Sequence, residues 1–306
     1  MKYTIKRSES IPDNIRRIIL AQQKNAIGFL ARSGIDTDLA IHETRKCFKR
    51  IRAVYRMIRY EIGKDIFQQE NICFSDAGRM LSGVRDSVVL IETLSNIKQE
   101  FQGAVSNEIY EGLKSRFENM HRDIFERIVH EEKRIDKVAT ALRAARFRVA
   151  ELPIQRNDFG VLSKGIRKIY SKGYKTFIAT QYNSSPEMFH EWRKMVKNLW
   201  YLIAIFKPIN PPVLRKLSLL LDRLSDLLGL DHDLHRLDES LRKLPEVVEN
   251  IQLYETLFNC LMIKSFNIRA EAWKLGSKIY IDNSKEFVAK LEGYWDVWKK
   301  DCNIQV

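Results

Sequence analysis

The chain has 306 residues, of which 45% are hydrophobic and 30% are charged, and its formal net charge is +13. This length allows one large domain or two smaller ones, and the composition excludes a disordered, collagenous or disulfide-dependent small protein. The excess of cations predicts an anionic partner such as nucleic acid, a phosphate polymer or a lipid surface.

Apolar residues recur at three- and four-residue spacing along almost the whole chain, and no run alternates as a strand would. We therefore predict an all-α fold. Short Gly, Pro, Asn or Asp signals divide it into helices at 11–32, 37–62, 74–101, 104–151, 158–180, 185–207, 212–244, 246–276 and 284–300. The longest apolar stretch, 198–206, is far too short to span a membrane.

The cysteines and the first residues of the chain bear on its location. Cys47, Cys73, Cys260 and Cys302 are widely spaced and form no CxxC pair, which argues against a disulfide framework or a cysteine zinc site. Residues 1–17 contain cations but no apolar core, unlike a secretory signal. We expect a reducing, cytoplasmic location.

One segment of the first half recurs in the second half. Residues 41–58, IHETRKCFKRIRAVYRMI, align without gaps with residues 189–206, FHEWRKMVKNLWYLIAIF. Two flanking segments repeat in the same order, 14–27 with 165–178 and 81–90 with 228–237. We interpret the chain as one domain, 1–306, built from two pseudo-symmetric bundles of about four helices each, residues 1–152 and 153–306.

The first copy of the repeated segment predicts a helix with one cationic face. At 100° per residue its apolar residues fall on one side, and the opposite side carries His42, Arg45, Lys46, Lys49, Arg52 and Arg56. Between Arg45 and Arg59 there are seven cations and no acid, although like charges at helical spacing repel each other. The same angles recur in the second copy at His190, Arg193, Lys194 and Lys197. Because an anion would relieve the repulsion, we favour binding faces over solvated ones.

Other clusters leave more than one interpretation open. A histidine one turn before an Arg-Lys pair can cap the helix, donate to a phosphate oxygen or ligate a metal, and metal is the weakest option because no acid or second His lies at i+4. Residues 231–238, DHDLHRLD, also suit a metal, but helical packing explains them better. Binding and solvation are equally favoured for a basic arc at Arg167, Lys168, Lys172 and Lys175.

The paired segments HETRKCFKRIR and HEWRKMVKNLW resemble the signature of the CHAD family, the conserved-histidine α-helical domains. The segment GIRKIYSKGYK, the block around Arg85 and Asp86, and the closing AWKLGSKIY and WDVW are also similar to that family. The resemblance implies two helical halves with a basic channel between them that binds inorganic polyphosphate without catalysis. It implies site residues at His42, Arg45, Lys46, Lys49, Arg52, His190, Arg193, Lys194 and Lys197.

The second copy departs from the first, because Asn198, Trp200 and Ala204 replace three arginines and shorten its stripe. The complete candidate site adds Arg56, Arg167, Lys172 and Lys175 to the residues implied by the resemblance.

The leading hypothesis is a polyphosphate-binding protein that is not an enzyme and needs no cofactor or metal. The alternative is sequence-nonspecific nucleic-acid binding, which the charge permits, although no recognition motif or stacking aromatic supports it. A metal-dependent phosphohydrolase is less favoured, because the sequence lacks clustered acidic ligands for two metals.

Overall fold

The computed structural model describes residues 3–300, and every regular element in that range is helical. The α-helices are α1 (Ile11–Leu30), α2 (Thr37–Ile58), α3 (Lys64–Met80), α4 (Ser82–Glu100), α5 (Asn107–Phe125), α6 (Arg134–Arg148), α7 (Gly160–Tyr182), α8 (Pro186–Phe206), α9 (Pro211–Leu241), α10 (Pro245–Glu249), α11 (Glu255–Ile279) and α12 (Ser284–Lys300). A π-helical segment, Glu126–Glu131, follows α5, and a short 3-10 helix, Ile251–Tyr254, precedes α11. The predicted all-α class is confirmed. Cys302 lies outside the described residues.

Capping side chains set the start of the two helices that carry the repeated segment. Asp36 accepts a hydrogen bond from the backbone N–H of Leu39 at 2.9 Å at the start of α2. Ser185 does the same for the N–H of Met188 at 3.3 Å at the start of α8, where Pro186 occupies the first turn. Both caps satisfy backbone donors that the helix itself leaves unpaired.

Three predicted helices are divided in the structure, and one of them, 246–276, becomes α10, the short 3-10 helix and α11. The predicted helix 74–101 is the end of α3 followed by α4, and the two meet at Leu81, whose backbone is not helical. The predicted helix 104–151 is interrupted by the π-helical segment and by Lys133, which has a positive φ of 47°. Gly83 lies two residues after the break at Leu81, whereas no proline or glycine lies at the break within 104–151, so the sequence carried no such local signal there.

Most of α3 was predicted as a loop, and its buried face explains why. That face includes Glu70 beside Phe67, Phe74 and Ala77, so its apolar period is interrupted by an acid. The structure compensates the buried carboxylate through an ion pair with Arg148 of α6. Because this partner is far away in sequence, local periodicity could not reveal the helix.

Four helices form a closed ring of contacts around the middle of the molecule. α2 packs against both α8 and α4, while α9 packs against the same two helices from the other side. One hydrophobic core contains residues from α1 to α3 together with α7 to α9, and a smaller core joins α4 and α5 to α9 and α11. Both cores therefore draw on residues 1–152 and on residues 153–306, whereas the internal repeat stays an interpretation of the sequence.

The central position of α2 depends on a close backbone contact with α7. A Cβ atom placed on Gly165 would lie 1.7 Å from the carbonyl oxygen of Met57, so only glycine permits this approach.

Within residues 3–300, no helix combines the length and the apolar character that a membrane span requires.

Candidate functional site

The cationic faces of α2 and α8 meet where these two helices pack together. Lys49 of α2 interacts electrostatically with Arg193 and Lys197 of α8, and Lys46 interacts with Lys197. Arg45 belongs to the same group through its interaction with Lys49. We call these five residues, Arg45, Lys46, Lys49, Arg193 and Lys197, the central cluster. The structure thus brings together cations that are about 150 residues apart in sequence.

Only two members of the central cluster have a carboxylate within 4.0 Å. Lys46 pairs with Glu43 at 2.8 Å, and Arg45 lies 4.0 Å from Asp86 while it donates a hydrogen bond to the carbonyl oxygen of Gly78 at 2.8 Å. The other three, Lys49, Arg193 and Lys197, make no ion pair with any residue of the range 3–300. These three positive charges are available to an incoming anion.

Arg193 and Lys197 differ in how they are held. The Nε atom of Arg193 is buried and has no hydrogen-bond partner within the described chain. The Nζ atom of Lys197 lies 4.6 Å from the centre of the Trp200 ring, a distance typical of a cation–π contact. Trp200 stands at the position that Arg52 occupies in the first copy. The second stripe therefore has one cation fewer, and the Trp200 ring orients Lys197 instead.

Mutual repulsion is visible in the ionisation of the lysines. Burial lowers the pKa of Lys49, and the charges of Arg193, Arg45 and Lys197 lower it further, while Asp86 opposes them. The side chain of Lys49 is exposed to solvent although many protein atoms lie around it, so water screens part of the repulsion from these charges. The pKa of Lys197 is lowered by burial first and then by Arg193. The free protein therefore holds these ammonium groups in an unfavourable field.

The two histidines of the repeated segment begin the cationic faces and are both partly buried. Burial lowers the pKa of His42, and Arg85 of α4 lowers it further. Burial also lowers the pKa of His190, with Lys194 as the next cause. At neutral pH both imidazoles are uncharged, and an anion placed beside them would raise their pKa values.

His190 packs against His232, a residue for which the sequence favoured helical packing over metal binding. Its ring centre lies 4.1 Å from that of His232 on α9, and its buried Nδ1 atom has no hydrogen-bond partner within the described part of the chain. Burial lowers the pKa of His232 to about 3, and His190 contributes to this lowering.

Within residues 3–300 there is no group of three or more His, Cys, Asp or Glu side chains arranged to hold a metal.

The remaining two helices of the ring, α4 and α9, bring acids to the site. Asp86 of α4 faces Lys49 and Arg45, and Asp233 of α9 faces Arg193. Burial raises the pKa of Asp233 to about 6, although Arg193 acts in the opposite direction. Both acids occupy the same position of the flanking repeat at 81–90 and 228–237, and neither was predicted as a site residue. The site is therefore cationic on α2 and α8 but mixed in charge on α4 and α9.

Two predicted site residues point toward α3 instead. The Nε atom of Arg52 and the Nη2 atom of Arg56 both donate to the Oδ1 atom of Asn71, at 3.1 and 3.3 Å. Burial, and then the charge of Arg52, lower the pKa of Arg56 to about 9. The second half of the α2 stripe thus lines a surface beside the central cluster.

The remaining predicted residues are at the surface. Lys194 is exposed and pairs with Glu191 of the same helix. Arg167, Lys172 and Lys175 are exposed on α7, which packs against α8 through Phe177 and Trp192, whose ring centres are 5.3 Å apart. By helical spacing Lys172 and Lys175 lie on the face opposite Phe177, whereas Arg167 lies about 80° from it. The structure does not bring them to the central cluster.

A comparison with protein families shows where the chain belongs. A CHAD domain family model matches residues 19–242, which include α2, α8 and every residue of the central cluster, and no curated protein matches the chain. CHAD domains are generally binding domains, and polyphosphate binding is a known property of the family. Since the match covers most of the chain and contains both repeated helices, the protein belongs to the CHAD family.

Proposed function

We propose that this protein binds inorganic polyphosphate, without transforming it, in the groove between α2 and α8. The observation that carries the proposal is the convergence of Lys49, Arg193 and Lys197 from two helices with no ion-pair partner in the described chain. Clustered cations that make no direct ion pair repel each other and cost stability in the free protein. A linear chain of phosphates, with a negative charge on every unit, would remove this cost along the whole groove.

The side chains of the groove suit phosphate oxygens in complementary ways. Arg193 can offer two parallel N–H donors to one phosphate, whereas Lys49 and Lys197 act as point charges that tolerate several positions of the chain. His42 and His190, which begin the cationic faces of α2 and α8, each offer one N–H donor when neutral and two when protonated. This combination favours a repeating anion over a single small one.

Binding to nucleic acid is less well supported by the same groove. Sequence-independent binding of single strands usually relies on aromatic rings on which the bases stack. Here the ring of Trp200 is contacted by Lys197 and lies 5.0 Å from the ring of Tyr201, so it is already engaged. Phosphates without bases need no such platform.

The exposed arc on α7 has a secondary role in this proposal. Arg167, Lys172 and Lys175 lie outside the groove, so only a chain long enough to leave it can reach them. Replacing all three by Gln should weaken binding of long chains and leave short chains unaffected.

We also propose a cytoplasmic location, which is supported by the free thiols of Cys47, Cys73 and Cys260.

The proposal can be tested by titrating polyphosphate of defined length into two charge-reversal variants. Arg45→Glu with Lys49→Glu and Arg193→Glu with Lys197→Glu should each abolish the same binding event, because both helices line one groove. Reversal of the exposed pair Arg215 and Lys216 on α9 is the matched control and should have little effect.

Two results would contradict the proposal. Loss of one of two independent sites in each variant would show that α2 and α8 do not share a groove. Equal displacement of polyphosphate by duplex DNA or by single-stranded RNA would favour general polyanion binding.

A further inference from the structure

A second cationic recess opens beside the central cluster, between α2, α3 and the start of α4. We call it the side cleft. Its polar lining consists of Arg45, Lys49, Arg52, Arg79, Ser75, Gly78 and Ser82. Phe48 and Phe74, which are almost wholly buried, form its floor. None of these lining residues is acidic, although the cleft holds four cations.

The cations of the side cleft are only partly neutralised by their neighbours. Arg79 pairs with Asp76 one turn earlier on α3, but its side chain remains 74% exposed. Arg52 donates to the neutral amide of Asn71 and has no carboxylate within 4.0 Å in the described chain. Burial lowers the pKa of Arg52, and the charge of Arg79 lowers it further. The cleft can therefore accept an anion that carries more than one charge.

Lys49 connects the side cleft to the groove, because it lines the cleft and also interacts with Arg193 and Lys197. A phosphate chain in the groove can therefore reach the cleft past Lys49. Phe48 and Phe74 belong to the hydrophobic core and close the bottom of the cleft, so a chain end that turns into it finds no path through the protein.

The end of a polyphosphate chain differs chemically from its middle. An internal phosphate has one ionisable oxygen, whereas a terminal phosphate has two and, like a phosphate monoester, carries a charge of about −1.5 to −2 at pH 7. Its three free oxygens can accept several hydrogen bonds from guanidinium and hydroxyl donors. The lining of the side cleft offers both kinds of donor, from Arg52, Arg79 and Ser75.

We infer that the side cleft binds the terminal phosphate of a polyphosphate chain whose internal phosphates occupy the groove between α2 and α8. The inference rests on the proposed function, and it adds that the protein recognises chain ends. Affinity, expressed per mole of chain, should then depend on whether the ends are free.

The test compares chains of one length with free ends and with ends capped as phosphoramidates of a small amine. The wild-type protein should bind the free-ended chain about tenfold more tightly, which corresponds to one charge-assisted hydrogen bond. Arg79→Gln combined with Ser75→Ala should remove this difference while the capped chain binds as it does to the wild type. Arg215→Gln, which removes one exposed cation elsewhere, should retain the preference.

Pyrophosphate, which consists of two terminal phosphates, provides a second arm of the experiment. It should compete for the cleft and reduce the affinity of free-ended chains to that of capped chains, without displacing capped chains from the groove. Pyrophosphate that instead displaces both kinds of chain equally would contradict a separate end site.

The outcomes separate the inference from the proposed function. Equal affinity for capped and free-ended chains in the wild type overturns the inference alone, provided that the charge reversals in the groove abolish binding. A preference that persists in the Arg79 and Ser75 double variant also overturns it. If neither kind of chain binds the wild type, the proposed function itself fails.

Discussion

Replacing Lys49 by Gln should stabilise the free protein and weaken polyphosphate binding at the same time. Three cations, Arg193, Arg45 and Lys197, repel the Lys49 ammonium, and only Asp86 attracts it. Because Lys49 is exposed, each of these interactions is screened to about 0–1 kcal/mol. The net repulsion is then about 1 kcal/mol, which should appear as an equal gain in the free energy of unfolding.

The same substitution removes a donor from the proposed groove. A hydrogen bond to a charged group contributes about 1.5–3 kcal/mol, so the Kd for polyphosphate should rise about 10- to 150-fold. Since a ligand stabilises only the state that binds it, the order of stability should reverse when ligand is added. The Lys49→Gln variant should be more stable than the wild type alone and less stable than the wild type at a polyphosphate concentration that saturates the wild type.

Urea unfolding at low ionic strength, with and without polyphosphate, measures both effects in one series. Lys216→Gln on α9 is the matched control, because this lysine is exposed and lies outside the central cluster. In 1 M salt the gain in stability should largely disappear, since a Debye length of about 3 Å screens the repulsion. A variant that is less stable without ligand, or that binds polyphosphate like the wild type, would refute the assignment of Lys49 to an anion site.

Three further predictions follow from the charges, the histidines and the helix packing. Raising the salt concentration from 50 to 200 mM should weaken polyphosphate binding a few hundred-fold. This assumes that about six phosphates are neutralised and that each contributes about −0.7 to the slope of log affinity against log salt concentration. Affinities that do not change across a titration series at increasing salt would exclude an ionic site. The affinity for polyphosphate should increase as pH falls from about 8 to 6, because the low pKa values of His42 and His190 rise when an anion binds. Titrations of the variant in which Gln replaces both histidines should show a flatter pH profile. An unchanged profile would mean that the histidines are structural. In urea unfolding, Gly165→Ala should destabilise the fold by about 3 kcal/mol or more, because the added Cβ would overlap the backbone of Met57. Gly112→Ala, whose added Cβ has open space around it, should instead stabilise the fold by up to about 1 kcal/mol.

The sequence was sufficient for the all-α class and for most helix positions, because helical periodicity and capping are local properties. It also predicted the two faces of α2 correctly: Phe48, Ile51 and Val54 are buried, while Lys49 is at the surface. Local signals failed for α3, where buried Glu70 interrupts the apolar period and is paired with a residue of a distant helix.

The site shows the same division between local and tertiary information. The residues of the two cationic stripes were evident from the sequence, since a run of cations without acids is a local feature. Their arrangement was not, because Arg52 and Arg56 turn toward Asn71, which lies in the part of α3 that the sequence did not reveal. The side cleft depends on α3 as well.

What the sequence by itself determined is therefore the set of helices and the charge of each helix face. Only the tertiary structure decided that Lys49 meets Arg193, that His190 packs against His232, and that Asp233 faces the cations. The physical reason is that the face of a helix follows from the spacing of its own residues, whereas the partner of that face depends on how all the apolar faces pack into shared cores.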